Sequence, residues 1–286
     1  VRTTSRFGRL VLVISTIAAL AGCGGEAEPS PAPTDTSTSG CLRQPSACGY
    51  PDGTNTGVPS GTALAVVTGN VALTTPGQVY TGQDVHGCLE VHADNVTIRN
   101  TRISGGNCQF ALLNQGTGLT IVDSEVNCAE TAHTAIGSSD LTATRVDVHG
   151  CENGFNISGR VTVQDSWVHD LYAPAGAHTD GAQLNQGAEA VVFQHNTIVS
   201  PSPGGTAAII MWNEGDPQNH DVTITGNLLA GGAWTLYCPR SDSTGVRVVG
   251  NRISPGVFGP AAACTAGHVA EFADNIVDDT GSVLSP

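Results

Sequence analysis

From Asp221 to Leu229 the chain reads Asp-Val-Thr-Ile-Thr-Gly-Asn-Leu-Leu, one copy of a frame that occurs eight times. The frame has an aliphatic residue, a second aliphatic two positions on, a small polar residue at five and an aliphatic at seven. It fits Val96/Ile98/Thr101/Ile103, Leu119/Ile121/Ser124/Val126, Leu141/Ala143/Val146/Val148 and Val161/Val163/Ser166/Val168. It continues through Val191/Phe193/Asn196/Ile198, Val222/Ile224/Asn227/Leu229, Val246/Val248/Asn251/Ile253 and Ala270/Phe272/Asn275/Val277. The first two aliphatics alternate as in a strand, and the jump that follows leaves room for a bend. Successive frames begin 23, 22, 20, 30, 31, 24 and 24 residues apart. A period in the twenties with two or three short strands per copy describes a solenoid, each turn covering the apolar face of the next. The leucine-rich pattern is absent and no long segment carries a helical apolar stripe, so the expected fold is an all-β parallel β-helix. Coils stacked at about 4.8 Å would make eight or nine of them a rod on the order of 40 Å long.

Asn196, Asn227, Asn251 and Asn275 hold the same place in four successive frames, at the bend. Stacked amides there can hydrogen-bond along the axis, so these asparagines read as structural.

The first 22 residues read as an export signal: Arg2, Arg6 and Arg9 precede an apolar run from Leu10 to Ala21 that is too short to span a bilayer stably. Leu20-Ala21-Gly22-Cys23 resembles the lipobox of bacterial lipoproteins, which implies Cys23 as a lipid attachment site and a location on the outer face of the cytoplasmic membrane. Ordinary secretion is the alternative. Residues 23–40, rich in Pro, Ser and Thr, read as a disordered tether. Residues 41–87 are expected to form an N-terminal cap and a first irregular coil, and residues 88–286 the β-helix.

With no lysine, 11 arginines and 25 acidic residues, the chain carries a formal charge of −14. That balance argues against nucleic acid or anionic lipid as a partner, leaving the membrane to the lipid anchor alone, and the chain is expected to be a monomer. Setting Cys23 aside leaves eight cysteines, an even number that suits an exported, disulfide-bonded chain. Coil spacing pairs Cys88 with Cys108, Cys128 with Cys151 and Cys238 with Cys264, while Cys41 and Cys48 close a small loop.

The stretch Cys48-Gly-Tyr-Pro-Asp-Gly-Thr-Asn-Thr-Gly-Val-Pro59, followed by the repeated frames, resembles actinobacterial right-handed β-helix proteins of the pectate lyase-like superfamily. The resemblance covers roughly Cys41 to Pro286 and implies a right-handed coil. That superfamily hosts lyases, hydrolases, epimerases and non-catalytic spikes, so function has to be sought in the site.

The two longest frame spacings are consecutive, and insertions on a solenoid gather on its binding face. The first long coil contains His169 and Asp170, then His178-Thr-Asp180-Gly181; the second contains Trp212 and Glu214. Strand alternation puts Phe155, Ile157, Ala182, Leu184, Leu236 and Cys238 inside, and Asn156, Gln183 and Tyr237 on one outer strip. Trp212 and Arg240 would stand near that strip, and an elongated groove of this kind suits a polysaccharide chain. His178, Asp180, His169 and Glu214 are the candidate catalytic residues. His195, beside the ladder residue Asn196, is expected to face solvent. His178-Thr-Asp-Gly is similar to the Asn-Thr-Asp-Gly of polygalacturonases, but their paired acids one coil on, their Gly-His-Gly and their Arg-Ile-Lys are missing. Lyases with a lysine base are excluded. Two chemistries stay open: β-elimination with His178 or an arginine as base and calcium held by Asp180 and Asp170, or hydrolysis by Asp180 paired with Glu214. The non-enzymatic alternative is a glycan-binding or adhesive surface rod.

Overall fold

The computed structural model describes residues 40–211, 218–239 and 242–285. Every strand pairing in its two sheets is parallel, and each strand pairs with its equivalents one coil before and one coil after. Three faces result. The frame face stacks the first half of each frame, and Val161, Val191 and Val222 lie side by side in adjacent coils as the repeat requires. Past the bend, a ten-stranded sheet from Ala65–Thr68 to Ile276–Val277 carries the last aliphatic of each frame. The third face runs from Val71–Leu73 to Gly259–Ala262; we call it the groove face. In three central coils one long strand crosses from groove face to frame face: Thr134–Thr144, Asn153–Gln164 and Thr179–Gln194.

The frame works because a left-handed residue stands immediately before each bend position. Asn100, Asp123, Arg145, Asp165, His195, Gly226, Gly250 and Asp274 all have φ between 46° and 67°. This conformation turns the chain sharply and is tolerated best by Gly, Asn and Asp. The bend residue that follows is fully buried and, in every coil but the last, hydrogen-bonded to the next coil. Asn196, Asn227 and Asn251 each donate their backbone N–H and their Nδ2 to the Oδ1 of the asparagine one coil on, at 2.9–3.0 Å. Ser166 joins the same column, its N–H reaching Asn196 Oδ1 at 2.9 Å, and Thr101 donates to Ser124 Oγ at 3.2 Å. Between the three faces the aliphatics form one continuous core, which includes Phe155 edge-on to Phe193 at 6.3 Å. All four expected disulfides are formed: Cys41–Cys48, Cys88–Cys108, Cys128–Cys151 and Cys238–Cys264.

Two expectations need correction. Residues 40–58 do not close the N-terminal end of the rod. They run along its flank as a strap, from the last coil back toward the first. Cys41 and Leu42 donate their N–H groups to the buried Asp278 carboxylate at 3.0 and 3.1 Å. Tyr50 stacks on His195 at 5.6 Å, and Gly57 donates to the Arg145 carbonyl at 3.0 Å. The reason lies in the ten-stranded sheet, whose outward residues Leu228 and Ala230 would be exposed without a cover and are instead buried. His195 consequently meets the strap, not only solvent: its Nε2 lies 2.8 Å from the Gly49 carbonyl and its Nδ1 2.7 Å from Asp165.

The second correction concerns the insertions. In the first long coil the extra residues fall mainly between Trp167–Val168 and Thr179–Gln194, and in the second between Gly205–Ile210 and His220–Thr225. The first insertion thus precedes the groove-face strand of its coil and the second follows it. Frame spacing records only the total length of a coil, so it does not say at which corner the residues are added.

Candidate functional site

The groove face follows the alternation read from the sequence. Phe155, Ala182, Ile209 and Leu236 form an inward column, and Asn156, Gln183, Ile210 and Tyr237 are in register on the outer side. Asn156 Nδ2 donates to Gln183 Oε1 at 3.3 Å, and Asn185 Nδ2 donates to Asn156 Oδ1 at 2.6 Å. The outer strip is therefore an ordered row of amides ending at a phenol, with the apolar Ile210 in the row.

Asp180 lies at the edge of this strip, where the strand register shifts between Thr179 and Asp180. Its N–H donates to Asn153 Oδ1 in the preceding coil at 2.9 Å. Gly181 follows because nothing larger fits: a Cβ there would collide with Ile198 and with the Ala208 carbonyl. Close coil-to-coil packing therefore fixes that glycine. Asp180 is only 2% exposed, and its Oδ1 has no hydrogen-bond partner among the described residues. Burial pushes its carboxyl up to about 8, against the lowering effect of the Ala207 N–H and with a further push from Glu152. Asp180 therefore carries a proton at neutral pH. The Tyr237 phenol is raised too, first by burial and then by Asp180.

Sequence reasoning missed two neighbours. Glu152 acts electrostatically on Asp180, and its Oε2 lies 2.9 Å from His133 Nδ1. Both line a small cavity of about 100 Å³ with Tyr172 and Pro174. The signal was available in the register: Asn153 sits 27 residues before its partner Asp180, which brings Glu152 alongside.

The other candidates do not converge on Asp180. His178 is exposed and makes no hydrogen bond or ion pair among the described residues. Trp212, Glu214 and Arg240 lie outside the described residues. His169 and Asp170 belong to the flank beneath the strap, where they line a cavity of about 480 Å³ with Trp167, Arg43 and Asp52. Burial favours the proton on Asp52, but hydrogen bonds from Ser46 and Thr54 outweigh it and hold the carboxyl down to about 2. Asp170 is bonded to His169 Nδ1 at 2.8 Å. Asp170 and Asp180 thus do not fit calcium, which takes six to eight converging oxygens; Asp180 is dehydrated and protonated, while Asp170 is engaged elsewhere.

The four disulfides mark an extracytoplasmic environment. No characterised protein and no solved structure is significantly similar to the chain. A family model described as a right-handed β-helix region matches residues 80–229, from the frame-face strand one coil before the first frame to the end of the sixth. That span covers just over half of the 286 residues and lies within the stacked coils, and the chain belongs to the right-handed β-helix family.

Proposed function

We propose that the protein binds and hydrolyses a polysaccharide along the groove face, with Asp180 donating the proton to the glycosidic oxygen. The observation that carries this reading is the Asp180 carboxyl, held neutral at physiological pH beside Tyr237 and at the edge of the Asn156–Gln183 strip. A general acid needs its proton at the working pH, and burial is the usual means of keeping it there. The water that attacks the anomeric carbon then needs a carboxylate across the bond; Glu152 is a described candidate and Glu214 the one expected from sequence. Hydrolysis fits better than β-elimination, because a buried, protonated Asp180 is a poor calcium ligand and His178, the base that elimination would use, stands exposed with no described partner to orient it. The amides of Asn156 and Gln183 would bind sugar hydroxyls, and Tyr237 would pack on a ring face.

The burial of Asp180 favours one other reading, a glycan-binding rod without turnover, because an acid this enclosed has to be uncovered before it can meet substrate. A panel of neutral and acidic glycans separates the two. Reducing-end release by the native chain, lost about 10²-fold or more in Asp180→Asn while glycan retention persists, supports hydrolysis. Unsaturated uronate absorbance would instead mean elimination. Retention without either product leaves the binding rod, and no retention at all removes both readings. In the same proposal Cys23 carries a lipid that holds the protein at the outer face of the cytoplasmic membrane, so Cys23→Ala should release it from that membrane.

A further inference from the structure

Away from the groove, two imidazoles and a carboxylate meet on the outer side of the ten-stranded sheet. Asp147 and His149 stand two apart on the strand Asp147–His149, which puts both on one side. His169 comes from the next coil. Its Nε2 lies 2.9 Å from Asp147 Oδ1, and its ring stacks on that of His149 with centroids 5.0 Å apart. One ligand atom from each of the three lies within 4.8 Å of the others, and all three residues are partly buried.

We infer that Asp147, His149 and His169 form a binding site for a borderline divalent transition ion, zinc above all. Three observations carry this. First, both ring nitrogens of His169 face carboxylate oxygens, Nε2 toward Asp147 and Nδ1 toward Asp170 at 2.8 Å. A cation between Nε2 and Asp147 would take up that contact in place of a second proton on the ring. With Nδ1–H on Asp170, His169 takes the carboxylate–histidine–metal arrangement that fixes tautomer and ring direction. Second, the carboxylates outnumber the cations around the cluster. Asp147 and Asp170 flank His169, and Glu125 Oε1 lies 3.4 Å from His149 Nε2. Arg102 is tied to the other oxygen of Glu125 at 2.9 Å, and Arg43 of the strap lines the adjoining cavity. A dication balances this excess. Third, the site is held rigidly. The Cys128–Cys151 disulfide flanks it, Trp167 stacks on His169 with centroids 3.4 Å apart, and Gly57 of the strap packs on Asp147. Two nitrogens and one oxygen suit zinc, copper or nickel and not calcium or magnesium.

The test uses the whole exported chain, stripped with a chelator and titrated with zinc chloride in a calorimeter. One equivalent should bind, and calcium chloride should give no heat. In the doubly substituted His149→Gln, His169→Gln chain, zinc affinity should fall at least 30-fold. Cupric ion should quench Trp167 emission, and Trp167→Phe should abolish that quench while calorimetric binding persists. No stoichiometric zinc binding by the native chain overturns the inference, whatever the variants do. Undiminished affinity in the double variant, or undiminished quenching in Trp167→Phe, places the ion elsewhere and overturns it equally.

Discussion

Asp180 works against the stability of its own fold as the solution turns alkaline. An unfolded aspartate ionises near pH 4, whereas the folded one keeps its proton to about pH 8. Between these values the native chain binds one proton more than the unfolded chain, so stability falls as pH rises through the window. Asp180→Asn removes the titrating group at nearly constant shape. The substituted chain should melt several degrees above the native one at pH 8, and the gap should close as pH is lowered toward 4. Thermal unfolding followed at the two pH values checks this, and a gap independent of pH would refute the burial account. Gain of stability together with loss of turnover is the mark of a functional residue kept at a structural cost. None of this was legible in the sequence beyond the position itself. His178-Thr-Asp-Gly drew attention to Asp180, but its dehydration comes from packing between coils, and its neighbour Glu152 is found only once the register is fixed.

At the level of elements, the ladder converts one side-chain type into long-range order. Asn227 donates twice to Asn251 Oδ1 and once to the Phe193 carbonyl, and its own Oδ1 receives two bonds from Asn196. Asn227→Ala would strand the Asn196 donors and the Phe193 acceptor in a dry interior, where each unsatisfied group costs about 1–3 kcal/mol. We expect a loss of about 3–5 kcal/mol in chemical denaturation. Thr101→Ala, at the first coil of the same column, should cost about 1 kcal/mol, since its hydroxyl reaches only the Arg99 carbonyl. The ladder and the frames were readable because a period-two pattern and a fixed bend leave their mark in spacing. The corners were not, because a coil's length says nothing of where its extra residues go.

For the molecule as a whole, the strap joins parts of the rod that the repeat keeps apart. Asp278 anchors it with no side-chain exposure, accepting from Cys41, Leu42 and Arg252 Nε at 2.8–3.1 Å. Removing a buried acceptor of this kind costs about 3 kcal/mol. In Asp278→Ala, amide hydrogens of residues 41–58 should therefore exchange faster while those of the frame strands stay protected. Equal protection in both chains would show that the strap is held elsewhere. Its path was hidden from sequence reading because residues 41–58 have no period and their partners lie 88 to 237 residues away. The same path fixes a polarity. Gly40 enters the described fold packed against Asp278 and Asp279 in the last coil. The chain therefore enters its fold beside the last coil, at the opposite end of the stack from the opening strand Ala65–Thr68.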